Sequence, residues 1–405
     1  MPTTITIGNG ATCVLDSAQV THVFPRHEQS LPADGVSKQL RDAFAQPLDY
    51  PPLASATVPG DRVALTIEYG TPCPAEVLQG AVAALRDAGA ESSTATLLLA
   101  PGFSQEPKLL EQLTQLAEAQ GILLSVHDPD DELGLTTIGV TKAGRPLRLN
   151  RALANADLVL PVGVCTLESA TQDLCAAFGG LFPAFSDRET IRKYYAPIAG
   201  DSKVIRAERQ AEIDETGWLL GVGLTVLVVP DPTDGIAAVS VGQARAATED
   251  ATRQYRKIWA CDVKHRADLV VASVSGDVTQ HSWQIVGRAL ETAERVLKPG
   301  GSIAICCDLA QLPGPSLLRL AGGEDSPGLE RELMRDRCPD SWTALRLSRA
   351  LDRGTVYFQS RLEPTIVESL GMTPFATEAE LSRLISRAGC CVVLDGAQRL
   401  LVTVD

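Results

Sequence analysis

Two runs of aliphatic residues are each followed at once by a loop whose side chains could bind a ligand or exchange a proton. The first loop begins with Glu68 and Tyr69 and contains Thr71, and the second contains Ser104 and Gln105. In an open parallel sheet, ligands bind beyond the carboxyl ends of the strands. We therefore expect these loops to form part of a ligand site in which Glu68 is a candidate general acid or base. A loop or helix-cap hydrogen bond explains Glu68 equally well.

A third loop follows the buried strand predicted over 156–162. It contains two carboxylates, Glu168 and Asp173, and the pair Gly179-Gly180. We expect this loop to lie at the same edge of the sheet as the first two, because it also follows a strand.

Metal and nucleotide motifs are scarce. None of the five histidines lies three or four residues from another, so no histidine pair shares a helix face. His127 ends a predicted strand and is a candidate ligand or base, although a hydrogen-bonded strand-end histidine is the simpler interpretation. No G-x-G-x-x-G and no G-x-x-x-x-G-K-[ST] motif occurs.

The elements that position these loops alternate along the chain. Strands are predicted at 61–68, 95–100 and 122–127, with helices at 75–88 and 107–120 between them. Strands that alternate with helices of this length indicate βαβ units and a parallel sheet. The predicted fold class is α/β, with two α/β domains and a mostly parallel sheet in the first.

The second half begins a new series of the same kind. Two apolar runs, 218–229 and 236–241, are separated by prolines and a glycine and predict an antiparallel pair. A strand at 268–274 then opens the second series. The predicted domains are residues 1–264 and 265–405. Further helices are predicted at 282–297, 324–350, 363–369 and 377–388.

Composition narrows the classes of function. Of the 405 residues, 45% are hydrophobic and 21% are charged, as in globular proteins, and the net charge of −14 disfavours nucleic-acid binding. The longest apolar run has 13 residues, against the roughly 20 that span a membrane. The first ten residues lack the basic and apolar regions of an export signal. We expect a cytoplasmic protein with a small-molecule partner and no membrane or nucleic-acid partner. The oligomeric state is left open.

Several segments, in this order, resemble the nickel-dependent lactate racemase family from about residue 58 to the end. They include EYGTPCP (68–74), LLLAPGFSQ (97–105), ADLVLPVG (156–163), GDVTQHSWQ (276–284), KPGG (298–301) and DSW (340–342). The resemblance implies two α/β domains with the active site in the cleft between them. It also implies a nickel-pincer nucleotide joined to a lysine, with nickel held by the pincer and one histidine. Two further histidines exchange the substrate proton, and an arginine holds the substrate carboxylate.

The catalytic positions implied by the resemblance carry other residues in this sequence. The arginine of the first loop falls on Thr71. The first catalytic histidine falls on Ser104 and its neighbouring arginine on Gln105, and the second histidine falls near Glu168. A proton exchange between two histidines is therefore not expected.

The positions that would hold the cofactor differ as well. The family's Gly-Gly-Arg-Lys run reads Gly179-Gly180-Leu181-Phe182, so the tethering lysine is replaced by Phe182. The nickel-binding histidine falls near Tyr194-Tyr195. We expect no cofactor and no metal ligand; a nickel-pincer nucleotide is expected only if this alignment is wrong.

The second domain keeps part of the family pattern. A family lysine falls on Gly287, beside Arg288, whereas Gln284 and Trp342 keep their family identities. We expect Arg288, Gln284 and Trp342 to contribute to substrate binding.

Three hypotheses follow. The first is an enzyme on this scaffold that acts on a small hydroxy acid or sugar acid, an isomerase of the racemase or epimerase type if it is active. The second is a non-catalytic relative that binds a ligand or partner. The third is a racemase or epimerase that uses an untethered nickel-pincer nucleotide. The catalytic candidates are Glu68, Tyr69, Ser104, Glu168, Asp173 and Tyr194. The substrate-binding candidates are Thr71, Gln105, Gln284, Arg288 and Trp342, and the cofactor-binding candidates are Gly179 and Gly180.

Overall fold

The structure, a computed structural model, confirms the predicted α/β class. It describes residues 3–7, 11–15, 20–26, 30–142, 144–167, 178, 180–197, 203–276, 278–321 and 328–405. Within these ranges the chain forms two six-stranded sheets and three two-stranded ones. No helix in these ranges is long and apolar enough to cross a membrane.

The strands alternate with helices through most of the chain. The strands are β1 (Thr3–Ile7), β2 (Ala11–Leu15), β3 (Val20–Val23), β4 (Val63–Ile67), β5 (Ala95–Leu99), β6 (Leu123–Val126), β7 (Leu135–Val140), β8 (Pro146–Asn150), β9 (Leu158–Val164), β10 (Thr225–Pro230), β11 (Ile236–Gly242), β12 (Ala260–Val263), β13 (Ala267–Ser273), β14 (Leu297–Cys306), β15 (Val356–Gln359), β16 (Thr373–Pro374), β17 (Cys391–Asp395) and β18 (Leu401–Val404). The helices are α1 (Ala33–Ala45), α2 (Pro74–Asp87), α3 (Pro107–Ala119), α4 (Arg151–Asn155), α5 (Arg188–Tyr195), α6 (Lys203–Leu219), α7 (Ala244–Trp259), α8 (Trp283–Val296), α9 (Pro315–Ala321), α10 (Leu329–Arg335), α11 (Ser341–Arg353), α12 (Pro364–Ser369) and α13 (Glu378–Arg387).

The first large sheet has the order β11-β10-β9-β4-β5-β6. All its neighbouring pairs are parallel except β10 with β11, which are antiparallel as predicted. Because the strands are parallel, β4, β5, β6, β9 and β10 all end at one edge of this sheet. The predicted loops therefore start from a common edge.

The second large sheet has the order β16-β15-β14-β13-β17-β3 and is parallel throughout. Its edge strand β3 comes from the start of the chain and pairs with β17. The domain division at 264/265 stays a prediction, and residues 20–23 contribute to the sheet of the second half.

Two predicted elements differ in their extent. The apolar run from Trp218 begins in helix α6, because the glycines that follow end that helix. Gly221 has a φ of 64° and its N–H bonds to Trp218, so the strand starts only at Thr225. The predicted helix over 324–350 is two helices, α10 and α11, with Pro339 between them. Proline lacks the N–H that an uninterrupted helix needs there.

One of the apolar clusters joins the two halves. Leu227 and Val229 of β10 belong to the same buried cluster as Val270 of β13 and Val286 of α8. Trp259, at the end of α7, is fully buried within this cluster. Its indole N–H donates to the carbonyl of Pro230 at 3.0 Å.

We expect Trp259→Ala to lower the free energy of unfolding by about 3–5 kcal/mol, because it opens a large cavity and leaves the Pro230 carbonyl without its donor. Urea unfolding followed by circular dichroism measures the loss. Trp218→Ala is the matched control, since this tryptophan is 78% exposed and exposed substitutions usually change stability by less than about 0.5 kcal/mol. An equal loss in both variants would contradict the role given to Trp259.

Candidate ligand site at the edge of the first sheet

Glu68 lies at the carboxyl end of β4, in the middle of the common edge. Its backbone N–H donates to the carbonyl of Val162 on β9 at 3.1 Å, which extends the pairing of β4 with β9. Its side-chain Oε2 accepts from the N–H of Val164 at 3.0 Å. A Cβ atom built on Gly180 would lie 2.8 Å from this Oε2 and 3.0 Å from the Cα of Gly163. Only glycine at 180 therefore permits this close approach, and the structure brings Glu68 and Gly180 together as expected.

The environment of Glu68 favours its protonated form. Burial raises the pKa of the carboxyl above its ordinary value, while the Val164 N–H and the charge of Arg288 partly oppose the shift. A carboxyl with a raised pKa keeps its proton to a higher pH than an ordinary carboxyl and is a candidate general acid.

Arg288 brings the second half of the chain to this edge. It lies on α8, which packs on β13 and β14, and its Nη1 donates to the hydroxyl of Thr166 at 3.2 Å. Thr166 directly follows β9, so the contact joins the two halves beside Glu68. No carboxylate of the described residues lies within ion-pair distance of Arg288.

Gly287, the neighbour of Arg288, lies directly against Trp342 of α11. A Cβ built on Gly287 would overlap the ring of Trp342 and lie 2.7 Å from the hydroxyl oxygen of Thr343. The Trp342 ring also lies 5.7 Å from the guanidinium of Arg346. Trp342 therefore occupies the space that a side chain at 287 would need. Gln284 is exposed in the first turn of α8.

The first loop is held by its own side chains. The hydroxyl of Thr71 is buried and donates to the Glu68 carbonyl at 2.7 Å. The hydroxyl of Tyr69 donates to Glu106 at 2.6 Å, and burial together with that carboxylate raises its pKa. The Tyr69 ring meets the ring of Phe103 edge to face at 5.6 Å. These contacts link the loops after β4 and β5.

Ser104 and Gln105 lie exposed on a short 3₁₀ helix, Pro101–Gln105. The Ser104 hydroxyl donates to the Pro101 carbonyl at 2.7 Å. A serine needs an adjacent base to act as a nucleophile, and no such base of the described residues hydrogen-bonds Ser104.

Phe182 occupies a closed apolar position. It is 1% exposed and packs edge to face on Tyr194, with the ring centroids 5.3 Å apart. The Tyr194 hydroxyl donates to Glu212 at 2.9 Å, and burial raises its pKa to about 12. Phe182 has no amine and is surrounded by apolar side chains, so these residues do not fit a covalently tethered nickel-pincer nucleotide.

His127 has both ring nitrogens occupied. Nε2 donates to the Ser186 carbonyl at 2.8 Å, which leaves Nδ1 to accept from the Asn150 amide at 3.1 Å. Burial lowers its pKa, so the neutral ring is favoured. His127 is thus a structural strand-end residue. In the described ranges no group of three or more His, Cys, Asp or Glu residues could hold a metal ion.

Glu168, Asp173 and Gly179 lie outside the described residues, so their roles stay predictions. The sequence interpretation missed Thr166, and also Lys193 and Glu212 beside Tyr194. Thr166 follows a predicted strand, and that position is the signal that could have identified it.

Comparisons with known proteins agree with this architecture. Residues 9–203 match the family model described as the lactate racemase N-terminal domain. The lactate racemase apoprotein from Thermoanaerobacterium thermosaccharolyticum is similar in structure, with a TM-score of 0.79 and 17% identity over 100% of both chains. A protein from Thermotoga maritima has a TM-score of 0.68 at 9% identity, over 94% of this chain and 100% of that one. No curated protein matches the sequence.

We expect Glu68→Gln to stabilise the protein relative to wild type as the pH rises. A carboxyl whose folded-state pKa is raised binds its proton more tightly when folded, so the wild type loses stability between the unfolded and folded pKa values. Each unit of raised pKa corresponds to about 1.4 kcal/mol. The glutamine oxygen still accepts from Val164. Thermal unfolding from acid to neutral pH measures the difference.

The control is Glu118→Gln on the exposed side of α3. It should follow the wild-type stability profile across this pH range. A pH-independent difference between Glu68→Gln and wild type would contradict the raised pKa.

Proposed function

Since the chain is lactate racemase-like over residues 9–203 and in its fold, we propose that it binds a small hydroxy acid or sugar acid between its two halves. The ligand lies at the edge defined by Glu68, Thr166 and Arg288, and binding requires no covalently attached nickel-pincer nucleotide.

The pairing of Arg288 with Thr166 is the observation that carries the proposal. A guanidinium has five N–H donors and binds a carboxylate through two parallel hydrogen bonds. Arg288 uses one donor on Thr166 at 3.2 Å, which holds the remaining donors at the edge of the first sheet. The guanidinium of Arg288, from the second half of the chain, then holds the ligand carboxylate. The Thr71 hydroxyl already donates to the Glu68 carbonyl within the first loop.

Glu68 supplies the group for proton transfer. It is a carboxyl with a raised pKa beside the guanidinium, and a hydroxy acid bound through its carboxylate presents a hydroxyl and a Cα–H nearby. A single carboxyl supports proton removal and return on the same side of the bound ligand.

Binding without catalysis is the second candidate function. The hydrogen bonding of Ser104 favours this candidate. Ser104 is exposed, and among the described residues its hydroxyl bonds only to the Pro101 carbonyl. A racemisation needs an acid and a base on opposite faces of one carbon, and none of the described residues provides Ser104 with an activating base.

We expect Arg288→Met to abolish the rise in melting temperature that wild type shows with a panel of 2-hydroxy acids and sugar acids. Ligand that binds only the folded state stabilises it by about 2.7 kcal/mol at one hundred times its Kd. Methionine keeps much of the side-chain length but removes the guanidinium. Thermal shift followed by calorimetry measures the loss.

Arg41→Met is the matched control, because Arg41 forms an exposed ion pair with Asp87 away from this edge. It should retain the wild-type shift. A panel without any hit on wild type, or equal shifts in wild type and Arg288→Met, would reject the proposed site. Turnover of a hit, followed by chiral chromatography, separates the enzyme from the non-catalytic binder.

We expect no interconversion of the lactate enantiomers and no nucleotide adduct on the chain. The tethering amine is replaced by the buried Phe182, and each lost proton-transfer group costs about 10²–10⁴-fold in rate. The protein is incubated with one lactate enantiomer, nickel and the pincer nucleotide. Intact-mass spectrometry then detects any nucleotide adduct, and chiral chromatography measures any interconversion of the enantiomers. An added nucleotide mass, or turnover at about 1 s⁻¹, would favour the nickel-dependent alternative.

A further inference from the structure

A tight turn fixes the backbone from which the Glu68 carboxyl extends. The Glu68 carbonyl accepts from the backbone N–H of Thr71 at 3.2 Å, and Gly70 between them has a φ of 87°. This hydrogen bond and the positive φ are those of a type II β-turn, in which Glu68 is the first residue and Tyr69 the second. The Thr71 hydroxyl donates to the same carbonyl at 2.7 Å. Tyr69 therefore stands at the corner of the turn.

The side chain of Tyr69 ties this corner to the neighbouring loop. A Cβ atom built on Gly102 would overlap the Tyr69 ring, at 2.7 Å from Cδ1 and 2.8 Å from Cδ2, so the ring lies directly on the backbone of Gly102. The ring also meets that of Phe103 edge to face at 5.6 Å, and the hydroxyl donates to Glu106 at 2.6 Å. All of these contacts are with one segment, the loop and helix start that follow β5.

The carboxyl of Glu68 has little room to adapt if this corner moves. Its Oε2 accepts from the Val164 N–H at 3.0 Å. Cβ atoms built on Gly163 and Gly180 would lie 3.4 Å and 2.8 Å from the same oxygen, so backbone approaches it closely at both glycines. A shift of the turn would therefore break the bond to Val164 or press the oxygen against the glycine backbone.

We propose that Tyr69 is the positioning residue for Glu68: its ring, which lies on Gly102, holds the turn in the one place from which the Glu68 carboxyl reaches its donor. The ring contact is the main restraint, and the hydroxyl bond to Glu106 is secondary. Tyr69, a catalytic candidate from the sequence, then acts through Glu68 and not on the ligand. The inference rests on the proton-transfer role proposed for Glu68.

The ionisation of Glu68 reports where its carboxyl lies. Burial raises the pKa of this carboxyl, whereas the Val164 N–H and the charge of Arg288 on α8 lower it. The Glu106 carboxylate is the other charged group of the arrangement and is bound by the Tyr69 hydroxyl. Because burial has the largest effect, a carboxyl released from its position gains water and its pKa falls toward the ordinary value. A merely structural role of Tyr69 would lower stability without this change.

Pairs of full-length variants measure this ionisation without a ligand. Each protein is compared with the same protein carrying Glu68→Gln, and the difference in melting temperature is followed from acid to neutral pH. The upper limit of the pH range over which this difference changes marks the folded-state pKa of Glu68. We expect Tyr69→Ala and Gly102→Ala to lower this limit by about half a pH unit or more. Tyr69→Phe keeps the ring and should leave the limit in place.

Leu381→Ala is the control for lost stability, since it removes a fully buried side chain from the apolar cluster between α13 and the second sheet. It should lower the melting temperature and leave the limit unchanged. An unchanged limit in Tyr69→Ala and Gly102→Ala, or an equal shift in Tyr69→Phe and Tyr69→Ala, would overturn the proposal. A wild type without any pH-dependent difference would reject it together with the raised pKa of Glu68. A ligand panel without a hit rejects the proposed function but leaves this result unaffected, so the two failures are distinguishable.

Discussion

The apolar core that the two halves share is the constraint on which the candidate site depends. Val229 of the first sheet and Val286 of α8 lie in one buried cluster, and Trp259 fixes the end of β10 through its bond to the Pro230 carbonyl. Because α8 is packed into this cluster, Arg288 cannot move away from Thr166 without exposing apolar surface, which costs roughly 25 cal/mol for each Å². A surface loop would give the guanidinium no such fixed position. The core therefore sets the geometry of the polar candidate site.

One difference from the nickel-dependent pattern has a clear packing role. Phe182 is packed against Tyr194 where the resemblance implies a tethering amine. The aromatic side chain leaves no nucleophilic group there and makes a well-packed apolar contact. Such a replacement preserves the scaffold because dense packing, and not the identity of the polar groups, maintains the core. The chemistry of the candidate site then depends on groups that the scaffold holds for other reasons, Glu68 above all.

The repeating units of the first sheet could be predicted from the sequence, because short aliphatic strands and helices with one apolar stripe have a clear local pattern. The strand predicted at 61–68 contains β4, and Glu68 is a candidate because it stands at the end of that predicted strand. The pairing of β3 with β17 could not be predicted, since the two strands are far apart in sequence and neither has a local signal of its partner. The same holds for the ion pairs of Glu212 with Arg145 and Lys193, because the three residues come from separate elements. The side-chain hydrogen bonds of Ser104 and Thr71 depend on loop backbone geometry, which residue types alone do not determine.

Glu68 and Glu212 show how placement decides the chemistry of one residue type. Glu68 accepts the N–H of Val164, and its burial raises its pKa. Glu212 accepts from Arg145, Lys193 and the Tyr194 hydroxyl. The first half of the chain thus provides one carboxyl whose environment favours the bound proton and one that joins α5, α6 and the segment before β8 through ion pairs. The same residue type serves a different purpose in each place because the surrounding backbone and charges differ.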